Sequence, residues 1–233
     1  MRTNETLISV IIPVFNEELT IGNVIERVKL VLQKVGFKNE IIVIDDSSTD
    51  RSLMLSNRRG IKVYSLKRHM GKGYALRAGF AKAKGAIITT IDSDGSHRPE
   101  ELPSLLTPIL QDKADLVIGS RYLGQKPRAA KKFNAIGVRL FNLLIKIFTR
   151  AEVSDSQSGY RVMKADVLRN MSLKSGEYEI ESEMLVKTAR QGFRVREVPI
   201  SFKQRTYGTS RLDPIVDGFK ILLSIVSANM RDG

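Results

Sequence analysis

The feature that most constrains the fold of this chain is an alternation. Between residues 7 and 119, short runs of Ile, Val and Leu end in acidic or hydroxyl-bearing residues. They alternate with segments whose apolar residues recur at helical spacing. The runs fall at residues 7–12, closed by Pro13, and at 40–44, 61–66, 86–91 and 114–119. Apolarity at nearly every position suits a strand buried on both faces, as in a parallel sheet. Between the first two runs, Ile21, Val24, Ile25, Val28, Leu32 and Val35 mark one face of a helix, with Asn16 or Thr20 as cap. Gly71-Lys-Gly73 opens another helix, and Pro99 with Glu100 and Glu101 suits the first turn of a third. The pattern predicts an α/β fold: a single Rossmann-like, mostly parallel twisted sheet flanked by helices, with ligands at the carboxyl ends of its strands.

Asp45, Asp46, Asp92 and Asp94 all fall at such ends. In an extended chain residues i and i+2 point the same way, so Asp92 and Asp94 are expected to converge on one small volume. Two hard oxygen ligands suit Mg²⁺ or Mn²⁺, which completes its shell with water and phosphate oxygens. Asp-x-Asp-Gly is also a common turn sequence, and this stretch alone leaves both readings open. The recurrence of acids at strand ends weighs toward the metal. Gly71-x-Gly73 lacks the third glycine of a dinucleotide fingerprint, and no Gly-Lys-Ser/Thr P-loop occurs. His69 and His97, the only histidines, read as polar loop residues.

The net charge of +13 is unevenly spread. Residues 1–118 carry 17 basic and 14 acidic side chains, residues 119–233 carry 21 and 11, and within 119–150 there are eight basic residues and no acid. Such a field favours a polyanionic partner. A nucleic acid would explain the charge but not the acidic strand ends, so a membrane surface is expected and a nucleic acid is not. The stretch from Lys131 and Lys132 to Thr149 reads as a basic amphipathic helix, with apolar bulk at Phe133, Ile136, Leu140, Phe141, Leu144, Ile147 and Phe148. Residues 215–230 form a second apolar-rich helix, too short and too interrupted by Lys220 to cross a bilayer. The absence of cysteine fits a reducing compartment, and the first residues lack the apolar core of a secretory signal. The expected organisation is one catalytic domain over residues 1–212 and a C-terminal amphipathic helix over 213–233.

Seven segments follow one another in order: Pro13-Val-Phe-Asn-Glu17, Val43-Ile-Asp-Asp-Ser-Ser-Thr-Asp50, Gly71-Lys-Gly73, Ile91-Asp-Ser-Asp94, Gly119-Ser-Arg121, Asp155-x-x-Ser-Gly159, and Glu197-Val-Pro-Ile200 with Arg205-x-x-Gly-x-Ser210. Together they resemble inverting glycosyltransferases of family 2 with the GT-A fold, in the dolichyl-phosphate mannosyltransferase and polyprenyl-phosphate glycosyltransferase branch. The resemblance runs from about residue 7 to 212. It implies a pocket for the nucleotide's base and ribose at Pro13, Phe15, Glu17, Ile44 and Asp46, with Phe15 where the family commonly has tyrosine. It implies a divalent metal on Asp92 and Asp94, with Ser93 contributing from between. Ser96 stands where several relatives have a metal-binding glutamine. Arg121 and Arg205 match arginines that contact donor and acceptor phosphates, and Arg211 replaces a more usual lysine. Were the acceptor a hydroxyl, Asp155 or Asp94 would be the candidate base; Asp155 otherwise orders its loop, and Glu183 is a candidate to face the site.

What the resemblance implies is transfer of a hexose, mannose from GDP-mannose favoured, to a polyprenyl or dolichyl phosphate. The reaction would take place on the cytoplasmic face of a membrane, with Mg²⁺ or Mn²⁺ as cofactor and a membrane-anchoring subunit as a candidate partner. The alternatives are UDP-glucose or another donor, a hydroxyl acceptor, and a non-catalytic nucleotide-sugar-binding protein.

Overall fold

The structure, a computed structural model, describes residues 5–57, 61–123, 132–169, 171–203 and 216–230, and of residues 132–136 the backbone alone. The strands are β1 Leu7–Val14, β2 Lys38–Asp45, β3 Lys62–Ser65, β4 Ile87–Thr90, β5 Leu116–Ser120, β6 Arg161–Lys164 and β7 Val195–Pro199. The helices are α1 Ile21–Val35, α2 Ser52–Asn57, α3 Lys72–Lys82, α4 Leu102–Leu110, α5 Lys132–Thr149, α6 Ala165–Arg169, α7 Ile180–Arg190 and α8 Val216–Met230, with a 3-10 turn at Pro99–Glu101. The strands form one sheet in the order β3-β2-β1-β4-β6-β5-β7. Among the described residues β6 alone runs against the others.

Strand alternation sorts the apolar side chains into two cores, one on each face of the sheet. Ile8, Val10, Ile12, Ile41 and Val43 pack with the buried stripe of α1 and with Leu102, Leu105, Leu106 and Ile109 of α4. Ile11, Ile42, Ile44, Ile88, Leu116 and Ile118 face the opposite way, against α3, α5, α7 and α8. Each fully buried Ile or Leu contributes about 1.5–3 kcal/mol relative to exposure. Helix α1 buries Ile21, Val24, Ile25, Val28 and Leu32 as the periodicity predicts, and ends on Gly36, whose φ of 75° lets its N–H reach the Leu32 carbonyl.

Two differences from the sequence reading have simple causes. β1 continues through Pro13 to Val14, because its pairing with β4 stops at Ile11 and leaves the proline with a neighbour on one side only. The strand pattern does not stop at residue 119: β6 and β7 escape detection because Arg161, Lys164, Arg196 and Glu197 break their apolar runs. The reversal of β6 positions the site. Arg161, its first residue, lies opposite Thr90, the last of β4, so the segment leading into β6 arrives at the face where the other strands end.

The basic amphipathic helix is present as α5. Val138, Phe141 and Ile145 are buried, while Leu140, Leu143 and Ile147 are exposed beside Arg139, Lys146 and Arg150. Helix α8 buries Ile221, Ile225 and Ala228 and exposes Val216, Phe219, Leu223 and Met230. No helix among the described residues is long and apolar enough to cross a membrane.

Candidate active site

The carboxyl ends of β1, β2 and β4 border a cleft of about 640 Å³. Pro13, Phe15, Glu17, Asp46, Asp92, Ser93 and Asp94 line it, joined by His69, Lys72, Glu177 and Tyr178 and by Asp217 and Lys220 of α8. The chain turns sharply after β1 at Asn16, whose φ of 55° lies in the left-handed region that asparagine tolerates. The Asn16 side chain holds the turn, its Oδ1 accepting the Thr49 N–H at 2.7 Å. Asp46 is buried and accepts the backbone N–H groups of Met70 and Gly71 at 2.8 and 2.7 Å, fixing the start of α3 beneath the cleft. Its Oδ2 also lies 2.8 Å from His69 Nδ1, and the His69 ring stacks on Phe15 with centroids 3.8 Å apart and planes 11° from parallel.

β4 ends two residues before Asp92, so Asp92 and Asp94 reach the cleft on a turn rather than by strand alternation. Gly95, at φ 73°, completes the turn, and Asp94 Oδ1 accepts both the Ser96 N–H at 2.9 Å and its hydroxyl at 2.6 Å. The same residues thus form a turn and line the cleft. Asp92 sits on the backbone of Gly159, where a Cβ would come within 2.6 Å of its carboxylate. Lys72 Nζ lies 2.7 Å from Asp92 Oδ1 and 2.8 Å from Glu181 Oε1. Burial works against the charge of Asp92, but Lys72, His97 and Arg121 outweigh it and hold its carboxyl down at about 2. The same two carboxylates hold the Lys72 ammonium above its ordinary value against burial.

Two carboxylates opening on one cleft fit a hard divalent cation. Among the described residues no set of three or more His, Cys, Asp or Glu groups is arranged to hold a metal, so the remaining positions would fall to water and substrate oxygens, as is usual for Mg²⁺.

Beside the cleft, β5, β7 and the lead-in to β6 build a second arrangement. Arg121 donates from Nε and Nη2 to the two oxygens of Asp155 at 2.7 and 2.8 Å, and its backbone N–H adds a third bond at 2.9 Å. Asp155 is fully buried. Its own N–H and that of Ser154 donate to Glu197 at 2.9 and 2.7 Å. Desolvation pushes the Glu197 carboxyl up, with the Asp155 charge adding to it against these two bonds.

Of the residues singled out from sequence, Pro13, Phe15, Glu17, Asp46, Asp92, Ser93 and Asp94 come together. Ile44 does not: its side chain is fully buried in the core with Ile11 and Gly79, because β2 turns that position away from the cleft. Ser96 is buried with its hydroxyl bonded to Asp94. Arg121 and Asp155 sit beside the cleft, locked on each other. Arg205, Arg211 and Lys131 lie outside the described residues, as does the side chain of Lys132. Glu183 does not face the site; it receives the N–H groups of Lys174 and Ser175 and pairs with Lys187, and Glu181 is the acid that reaches inward. Neither histidine is a plain loop residue. His97 is buried between Tyr160 and Phe202, with Nδ1 3.6 Å from Asp92, and burial pushes its pKa down. Lys72 was overlooked, although its place between two glycines at a helix start was a usable signal.

Comparison with known proteins agrees with this geometry. Residues 9–172 match the model of glycosyl transferase family 2. The chain is 31% identical over 252 residues to a UDP-N-acetylglucosamine–dolichyl-phosphate N-acetylglucosaminyltransferase of Methanococcus voltae, covering 97% of each chain. It is 34% identical over 222 residues to an undecaprenyl-phosphate mannosyltransferase of Micrococcus luteus, covering 87% of this chain and 86% of the relative. The fold matches glucosyl-3-phosphoglycerate synthase from Mycobacterium tuberculosis, solved with Mn²⁺, UDP and phosphoglyceric acid, at a TM-score of 0.77 and 23% identity over 97% of this chain and 79% of that one. With its GT-A-like seven-stranded sheet and its acids gathered at the strand ends, the chain belongs to glycosyltransferase family 2.

Proposed function

We propose that the protein transfers a hexose from a nucleotide sugar to a polyprenyl or dolichyl phosphate, with inversion, at the cytoplasmic surface of a membrane. The observation that carries this reading is that the Asp92 and Asp94 carboxylates and the ring of Phe15 line one cleft. Base and ribose are read at Pro13, Phe15, Glu17 and Asp46. The diphosphate is read near Asp92, Ser93 and Asp94, which would hold Mg²⁺ or Mn²⁺. A divalent cation there supplies charge stabilisation for the departing diphosphate. Arg205 and Arg211 are assigned to phosphate contact by family resemblance. Mannose from GDP-mannose is the first donor to test and UDP-linked sugars the second, since one similar protein is a mannosyltransferase and another a UDP-N-acetylglucosamine-dependent transferase.

The acceptor phosphate has a second pKa near ~6 and is largely ionised at neutral pH, so its oxygen attacks without a general base. A new C1–O bond forms as the C1–diphosphate bond breaks, and a nucleoside diphosphate leaves. A hydroxyl acceptor would need a base within reach. Asp155 is poorly placed for that, both oxygens being held by Arg121; we assign it and Arg121 to positioning the basic side of the site. The exposed Leu140, Leu143 and Ile147 of α5, interleaved with Arg139, Lys146 and Arg150, support contact with an anionic membrane. So do Val216, Phe219 and Leu223 of α8. Residues 1–212 then form the catalytic domain, and the segment 213–233, which contains α8, its membrane side.

The test is to incubate purified protein with Mn²⁺ or Mg²⁺, a short-chain polyprenyl phosphate and GDP-mannose, UDP-glucose or UDP-N-acetylglucosamine in turn. A glycolipid product that disappears in chelator is expected from at least one donor. Turnover with a sugar alcohol and none with any polyprenyl phosphate would reject the acceptor, and full turnover in chelator would reject the metal.

A further inference from the structure

Lys72 is the first residue of α3 and lines the cleft, yet its ammonium is already held by two carboxylates, Asp92 at 2.7 Å and Glu181 at 2.8 Å. Its side chain is 17% exposed and that of Glu181 is 4% exposed. Apart from this ion pair, neither Glu181 oxygen has a hydrogen-bond partner among the described residues. The two anions differ in what they gain from the lysine. Asp92 borders the cleft and can exchange one cation for another. Glu181 is buried in the first turn of α7, and without the lysine its carboxylate would keep no direct ion pair, only the field of the buried Arg161, whose guanidinium is already bonded to backbone carbonyls, a costly outcome. The lysine is therefore tethered on its Glu181 side and exchangeable on its Asp92 side.

A bare divalent cation approaching Asp92 must displace an ammonium that gains nothing in return. A cation that arrives with a diphosphate brings the ammonium a new anionic partner within the same cleft, and the exchange then conserves charge pairing. We infer that Lys72 is a placeholder cation, anchored by Glu181, that makes Asp92 available to a divalent metal only together with a nucleoside diphosphate. Lys72 is on this view a positioning residue that sets the order in which metal and donor bind. The inference rests on the reading of Asp92 and Asp94 as the metal site, and it assigns the coupling to one side chain. Because coupling between two ligands is reciprocal, the metal must raise nucleotide affinity by the same factor as the nucleotide raises metal affinity.

Free Mn²⁺, measured by its paramagnetic resonance signal while the full chain is titrated, reads the effect without turnover. In the unaltered protein, UDP or GDP, tested separately, should tighten Mn²⁺ binding at least about tenfold, at a concentration of nucleotide that saturates the cleft. Lys72→Met should bind Mn²⁺ alone about tenfold or more tightly than the unaltered protein and lose most of the nucleotide dependence. Lys72→Arg, which keeps a cation there, should retain it. Glu181→Gln should act in the opposite direction, since the lysine then has Asp92 as its one ionised partner, and Mn²⁺ alone should bind more weakly. If Lys72→Met does not fold, the sign of the Glu181→Gln effect decides, and unchanged or tighter binding of Mn²⁺ alone overturns the inference. Lys72→Met that binds Mn²⁺ alone no better than the unaltered protein also overturns it. A protein that binds neither nucleotide with Mn²⁺ at all overturns instead the donor-site reading on which the inference stands.

Discussion

The two sides of the cleft solve opposite electrostatic problems. At the ends of β1, β2 and β4 the functional groups are acids, and they face the open space. At the ends of β5 and β7 the functional group is a guanidinium, and it is shut against a buried acid. Asp92 and Asp94 border the cleft, the first beside one lysine and the second held by its own turn. Arg121 is held at three points by Asp155, which is itself tied through backbone N–H groups to Glu197. The comparison teaches that the first side is built to exchange partners and the second to stay fixed. Damage to the first should therefore appear as lost chemistry with the fold retained, and damage to the second as lost fold.

The largest effect is expected on the exchangeable side. Asp92→Ala or Asp94→Ala should lower glycosyl transfer by about 10³-fold, equivalent to about 4 kcal/mol of transition-state stabilisation. The melting temperature should move by only a few degrees, as read by circular dichroism. A comparable loss of stability would erase the contrast between the two sides. On the fixed side, Asp155→Asn leaves the Arg121 charge without its counterion, and breaking such a pair costs about 3 kcal/mol or more. For a chain of this size that is a fall of about 10 °C in a thermal melt.

A smaller effect sharpens the comparison through pH. The Asp92 carboxyl is held at about 2 in the fold, against about 3.9 in an unfolded chain. Its folded value is depressed, so the stability it contributes is complete above about pH 4 and is lost as pH falls through about 2, roughly 2 kcal/mol in all. Denaturant titrations of the unaltered protein and of Asp92→Asn should differ by a constant amount from pH 7 to 4 and converge below it. The smallest effect on the fold belongs to the exposed apolar faces. Leu143→Ser with Phe219→Ser should leave stability within about 0.5 kcal/mol for each substitution, while binding to anionic vesicles in a flotation assay falls by about tenfold or more.

The contrast also explains what was legible in the sequence. The exchangeable side is assembled from consecutive strands and the turns that leave them, so Asp46, Asp92 and Asp94 could be placed from local pattern, while Pro13, Phe15 and Glu17 were placed by the family resemblance. Ile44 was misplaced because alternation decides which face a strand residue takes, and the ends of a strand buried on both faces give no marker for it. The fixed side depends on pairings across 34 and 42 residues, Arg121 with Asp155 and Asp155 with Glu197. No local period reports such pairings, and β6 and β7, which create them, carry charged residues that hide them. Lys72 and Glu181 fall in the same class. Each stands in the first turn of a helix, which local pattern reads as ordinary, and their meaning lies in meeting each other over Asp92.

The single reversed strand has a consequence for how this protein can be altered. Its neighbours deliver chain to the reactive face, whereas β6 takes chain from it, so residues 154–160 are anchored at their far end by the sheet itself. Gly159 carries that anchorage directly to Asp92, with no room for a methyl group between them. Lengthening the stretch around residues 150–153 should change what approaches the Arg121 side of the cleft, while the seat under the aspartate stays where β6 puts it.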